Sequence, residues 1–138
     1  MSFAVGTLKA MLRYRDVAMR ASFDGGPPET IPATMVAVAN GQFFGGGMWV
    51  APEAQPDDGL FDVTVWSGYR LRDFAVRGRS LYDGSHVKHP NTRCLKARTV
   101  RLEADSPALL DVDGEQPGRL PATMEIRPGA LRLKIAPA

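Results

Sequence analysis

The sequence predicts a mainly β, α+β domain, an antiparallel β-sandwich carrying one or two short helices. Gly 14 and Pro 11 in 138 residues demand many turns and short elements, which suits strands better than a helical bundle. Aliphatic β-formers alternate with period two through most of the second half of the chain. Between Val38 and Val63, one apolar run stops at Asn40-Gly41, crosses Gly45-Gly46-Gly47, and enters a second alternating run through Asp57-Asp58-Gly59. That pattern reads as two strands flanking a loop. With 44% hydrophobic and 23% charged residues, the composition is that of one soluble globular domain large enough for a real core.

In order, Val5, Leu8, Met11 and Leu12 have helical spacing with Ser2 as cap, so a helix opens the chain as the continuation of something before residue 1. From Asp16 the period becomes two, with Val17, Met19, Ala21 and Phe23 on one face. Asp24-Gly25-Gly26-Pro27-Pro28 turns the chain, and Ile31 to Ala39 forms the partner strand of a hairpin. Leu60 to Trp66 is the next strand, with Phe61, Val63 and Val65 on one face. Ser67-Gly68 breaks it, and Leu71, Phe74, Ala75 and Leu81 mark a helix whose other face carries Arg70, Arg72, Arg77 and Arg79. Asp83-Gly84 ends that helix, and His86, Lys88 and His89-Pro90 follow in a loop. Val100 to Glu103 alternates again. Ala108 to Val112 runs into Asp113-Gly114-Glu115-Gln116-Pro117-Gly118, a turn between two strands. Thr123 to Arg127 leads to Pro128-Gly129, and Ala130 to Ile135 closes the chain with Leu131, Leu133 and Ile135 on one face.

Net charge is only +2, yet Lys+Arg 17 permits local patches, at Arg13, Arg15 and Arg20 and again from Arg70 to Lys88 and Arg93. These read either as a solvated face or as attraction to an anionic membrane surface. Aromatics are not interleaved with them, so nucleic acid is not expected. The lone Cys94 rules out an internal disulfide and Cys-rich metal sites; it reads as a buried small hydrophobe in a reducing, cytoplasmic setting. No apolar run is long enough to span a bilayer and no signal segment is present, so membrane contact would be peripheral, at the inner face.

Asp57-Asp58-Gly59 with Asp62 crowds three carboxylates into a turn. This is either a surface Asp-Gly turn or a place for a hard cation such as Mg²⁺ or Ca²⁺. Asp113-Gly114-Glu115 is either a plain hairpin turn or the seat of a carboxylate base able to take a proton from an attacking hydroxyl. Gly45-Gly46-Gly47 lacks the Lys-Ser/Thr ending of a P-loop and opens no helix, so it bends the strand or lets backbone approach a partner. Phe43, Phe44, Met48 and Trp49 are core or line an acyl-chain cleft. His86 and His89 lack an adjacent third ligand, which argues against zinc and leaves a phosphate or interface contact.

The run from Asn40 to Val63, with Asp113-Gly114-Glu115 and Ile126-Arg127-Pro128-Gly129-Ala130-Leu131, resembles the C-terminal domain of the bacterial diacylglycerol-kinase-like lipid kinases, relatives of sphingosine kinases. The resemblance implies the β-sandwich half of the NAD kinase/diacylglycerol kinase-like fold. The nucleotide-binding domain and its Gly-Gly-Asp-Gly-Thr loop would lie before residue 1. It implies Glu115 as proton acceptor with Asp113 beside it. It also implies a structural Mg²⁺ on the Asp58 side chain and the carbonyls of Gln55 and Leu60, a lipid cleft near Phe43, Phe44, Met48 and Trp49, and ATP as co-substrate of the complete enzyme. The partners implied are a lipid substrate, a membrane surface and the nucleotide-binding domain, with a homodimer allowed. These residues alone are expected to be inactive. Two other readings fit the same residues: a non-catalytic lipid-binding or membrane-sensing module, and a kinase of the same superfamily acting on a soluble substrate.

Overall fold

A computed structural model describes residues 16–69, 73 and 78–132. The expected N-terminal helix, residues 70–72 and 74–77 of the arginine-faced helix, and residues 133–135 of the expected last strand lie outside those residues. The strands are β1 (Val17–Phe23), β2 (Glu29–Ala33), β3 (Met35–Ala39), β4 (Phe43–Phe44), β5 (Met48–Trp49) and β6 (Phe61–Trp66). After a helical turn α1 (Ser80–Asp83) and a 3₁₀ turn at Ser85–Lys88 come β7 (Thr92–Ala97), β8 (Thr99–Ala104), β9 (Leu109–Val112), β10 (Glu115–Arg119) and β11 (Ala122–Glu125).

Two antiparallel sheets form the body, one ordered β11-β8-β1-β2 and the other β3-β6-β7. Met19, Ala21, Ile31, Ala33, Val100 and Leu102 of the first sheet share one buried cluster with Val63, Val65 and Ala97 of the second. The expected sandwich is therefore present, its inward positions set by the period-two pattern of β1 and β6. Strand β6 is buried on both faces. Val63 and Val65 face the sandwich, while Trp66 joins Val50 and Tyr69 in a second cluster against which Met35, Met48 and Leu81 pack.

The single strand expected from Ile31 to Ala39 is two strands in different sheets. Pro32 cannot donate to a ladder and sits in β2, an edge strand; at Thr34 the chain then crosses to the second sheet. Buried Thr34 is pinned there by its N–H to the Trp66 carbonyl at 2.7 Å, and its hydroxyl donates to Asp16 and accepts the Tyr69 N–H at 3.1 Å. The return crossing is at Arg98, between β7 and β8, where Asp24 Oδ1 accepts the N–H groups of Arg98 and Thr99 at 2.7 and 2.9 Å. β7 was not expected from the sequence, nor were β4, β5 and the 3₁₀ turn where a loop was foreseen. Ala130 to Arg132 is not strand.

Candidate functional site

Three loop regions carry the residues singled out by sequence. The first is the acidic turn between β5 and β6. Asp58 folds it locally: its Oδ1 accepts the Leu60 N–H at 2.9 Å, and its own N–H donates to the Gln55 carbonyl at 3.3 Å. Gly59 has a φ of +73°, and a Cβ there would stand 3.2 Å from Pro128 Cγ, so the turn rests on the Pro128-Gly129 corner as only glycine permits. The cation at this turn is Lys96. Its Nζ lies 2.9 Å from Asp58 Oδ2, 2.9 Å from Asp62 Oδ2 and 3.3 Å from the Glu53 carbonyl. The Lys96 hydrogen bond, then the Leu60 N–H, hold the Asp58 carboxyl below its ordinary range, while Asp62 and Asp58 push the Lys96 ammonium up. Among the described residues no three His, Cys, Asp or Glu side chains converge as metal ligands. One carboxylate with main-chain carbonyls remains an oxygen-donor set of the kind Mg²⁺ accepts.

The second region is the β4–β5 ribbon, which turns through Gly45, Gly46 and Gly47, all at positive φ. Its four apolar side chains divide. Phe43 and Phe44 are exposed, at 60% and 43%, whereas Met48 and Trp49 are half-buried. The Phe43 ring stacks on Trp49 at 5.8 Å. Below it, Trp49 Cε3 would be 2.9 Å from a Cβ at Gly84, the left-handed residue that ends α1. Buried His86 ties this region together, its Nε2 3.0 Å from the Val50 carbonyl and its Nδ1 3.1 Å from the Ser80 carbonyl. Such a ring is a structural strut, and it stacks on Trp66 at 5.6 Å.

The third region is the β9–β10 ribbon. Asp113 and Gly114 have φ values of 52° and 87°, the two-residue turn whose twist matches a hairpin, and the Gly114 N–H donates to Asp111 Oδ1 at 3.0 Å. Val112 and Glu115 are the directly paired residues on either side. Glu115 and Asp113 are exposed, and so are Leu109, at 71%, and Val112. Among the described residues no hydrogen bond or ion pair joins this ribbon to the Asp58 turn. A concavity of about 280 Å³ lies elsewhere, on the first sheet, lined by Arg20, Ser22, Pro28, Arg101 and Glu103, and includes none of the four aromatic-ribbon residues.

Two expectations are corrected. Cys94 is exposed, because it lies on the outward face of β7 opposite Thr64, with Leu95 turned inward. Desolvation still raises its thiol pKa; a Thr64 hydrogen bond opposes the rise, and the Glu53 and Asp62 charges add to it. Arg93 is no member of a free basic patch: it pairs with Glu29 at 2.8 Å and lies 5.9 Å from the centre of the Phe23 ring. Lys96 was missed by sequence reading. Its signal was present, since Asp62 and Lys96 are opposite charges directly across the β6–β7 pair.

The two-sheet sandwich thus carries an acidic turn, an aromatic ribbon and a carboxylate-bearing ribbon on its connections. The chain belongs to the YegS C-terminal NAD kinase beta sandwich-like domain family, whose model matches residues 1–135. It is 26% identical over 133 residues to a diacylglycerol kinase of Mycobacterium tuberculosis, covering 96% of this chain and 43% of that protein. It is 31% identical over 103 residues to a probable lipid kinase YegS-like protein of Shewanella frigidimarina, covering 73% of this chain and 32% of that one. Two Bacillus anthracis Sterne structures share the fold. One is a candidate diacylglycerol kinase, with TM-score 0.69 and 23% identity over 92% of this chain and 44% of the other. The second is described as a diacylglycerol kinase, with TM-score 0.65 and 21% identity over 93% and 44%. The chain thus spans less than half the length of these relatives.

Proposed function

We propose that this domain is the lipid-binding half of an ATP-dependent kinase that phosphorylates a lipid hydroxyl of the diacylglycerol type. The observation that supports it most is the presentation of Glu115, an exposed carboxylate held at a strand end by a tight turn and paired across the ribbon with the exposed Val112. An alcohol is a poor nucleophile until its proton has an acceptor. Glu115 takes that proton as the lipid oxygen bonds to the γ-phosphorus of ATP and the bridging bond to the β-phosphate breaks, releasing ADP. Asp113 precedes it in the same turn and puts a second carboxylate beside it.

ATP and its loop belong to a nucleotide-binding domain outside these residues, and the reaction takes place between the two domains. Mg²⁺ would be held by Asp58 with the carbonyls of Gln55 and Leu60, where it would fix the turn. Phe43 and Phe44, with Met48 and Trp49 beneath them, offer an apolar ribbon to acyl chains at a membrane surface, the level at which aromatic side chains sit well. No helix among the described residues is long and apolar enough to cross a bilayer, and contact at the cytoplasmic face would be peripheral. That same ribbon also favours a second reading, a lipid-binding module without chemistry. Phosphate transfer from labelled ATP to diacylglycerol by the natural-length protein, compared with Glu115→Gln, separates the two: a kinase loses transfer in the variant, and a module shows none in either.

A further inference from the structure

We infer that the Lys96 ammonium is the resident cation of the acidic turn and sets how tightly that turn takes a divalent ion. An ammonium has three N–H donors and no acceptor. At Lys96 all three find oxygen: Asp58 Oδ2 at 2.9 Å, Asp62 Oδ2 at 2.9 Å and the Glu53 carbonyl at 3.3 Å. Carboxylates and a main-chain carbonyl are also the ligands a hard divalent cation takes. The ammonium and the ion would need the same Asp58 oxygen, and they repel each other at that separation. A divalent ion therefore enters only by displacing Lys96.

The lysine is delivered by the sheet and not by the loop. Asp62 and Lys96 are direct partners across β6 and β7, so the ladder register that packs Val63 against Leu95 also carries the ammonium to the carboxylates. Asp58 comes to it from the loop, with its other oxygen engaged by the Leu60 N–H at 2.9 Å. The register of the sheet thus supplies the turn with a cation of its own. This inference rests on the reading of the Asp58 turn as a cation site and is independent of the lipid-kinase reaction.

The test is thermal unfolding of the natural-length protein, stripped with EDTA and titrated with MgCl₂, for the wild type, Lys96→Met and Lys96→Arg. Lys96→Met keeps the stem and removes the charge. It is expected to melt lower without metal, to recover with Mg²⁺, and to reach half-saturation at a concentration at least about tenfold below that of the wild type. Lys96→Arg, which keeps the charge, should follow the wild type. Lys96→Gln repeats the comparison should the methionine variant not fold. Equal half-saturation in the wild type and the uncharged variant would overturn the role of the lysine while leaving the turn a cation site. No response to Mg²⁺ in any of the proteins would overturn both.

Discussion

At the residue scale, the Asp58–Lys96–Asp62 group has a defined pH behaviour. The Asp58 carboxyl is depressed in the folded protein, so the stabilisation it brings is present above the unfolded carboxylate value and lost as pH falls through the lower folded one. Amide hydrogen exchange across residues 53–62, corrected for intrinsic rates, should therefore be flat from neutral pH down to about 4 and rise only below it. A rise already near pH 6 would contradict the ion pair. Cys94 gives a second check: exposed but with a raised thiol pKa, it should alkylate more slowly than a free cysteine at neutral pH, read by mass spectrometry. Asp58, Gly59, Asp113 and Glu115 were legible in the sequence because turn-forming residues signal locally. Lys96 was not, because its partner is 34 positions away and visible only once β6 and β7 are in register.

At the scale of elements, both crossings between the sheets depend on an aspartate outside the strands they secure. Asp24, itself at a φ of 52°, accepts two N–H groups at the Arg98 crossing. Asp24→Ala should lower stability by about 1–3 kcal/mol, seen as a lower denaturant midpoint with unchanged slope. Gly84→Ala should be at least as costly. It places a Cβ 2.9 Å from the Trp49 ring at a φ of 73°, so the α1 end and the aromatic ribbon should loosen together, visible in tryptophan fluorescence. β1 and β6 were readable because their apolar residues alternate. β7 was not, since its inward register holds Arg93, kept at the sandwich edge by Glu29, and its outward positions hold Cys94 and Lys96. The break at Thr34 escaped notice for a related reason: the apolar pattern runs straight through it, and only tertiary hydrogen bonds reveal that the chain changes sheets.

At the scale of the whole molecule, two buried clusters share strand β6, and Trp66 is the largest fully buried side chain in the second. Trp66→Ala should cost about 3–5 kcal/mol in equilibrium unfolding. The sandwich class was legible from turn density and alternation, whereas the β4–β5 ribbon was not, because two-residue strands leave no periodic signal. What the body leaves in solvent includes Phe43 and Phe44 on one ribbon and Glu115 with its partner Val112 on the other. A polypeptide of these residues alone should not transfer phosphate, since it spans only 43% of the mycobacterial diacylglycerol kinase it resembles. The most direct measurement is transfer of γ-phosphate from ATP to diacylglycerol in mixed micelles by the natural-length protein and its Glu115→Gln variant. The expected result is a labelled lipid product whose rate falls about 10²–10⁴-fold in the variant with the melting temperature unchanged. An undiminished rate in Glu115→Gln, or a wild type that labels no lipid, would contradict the proposal.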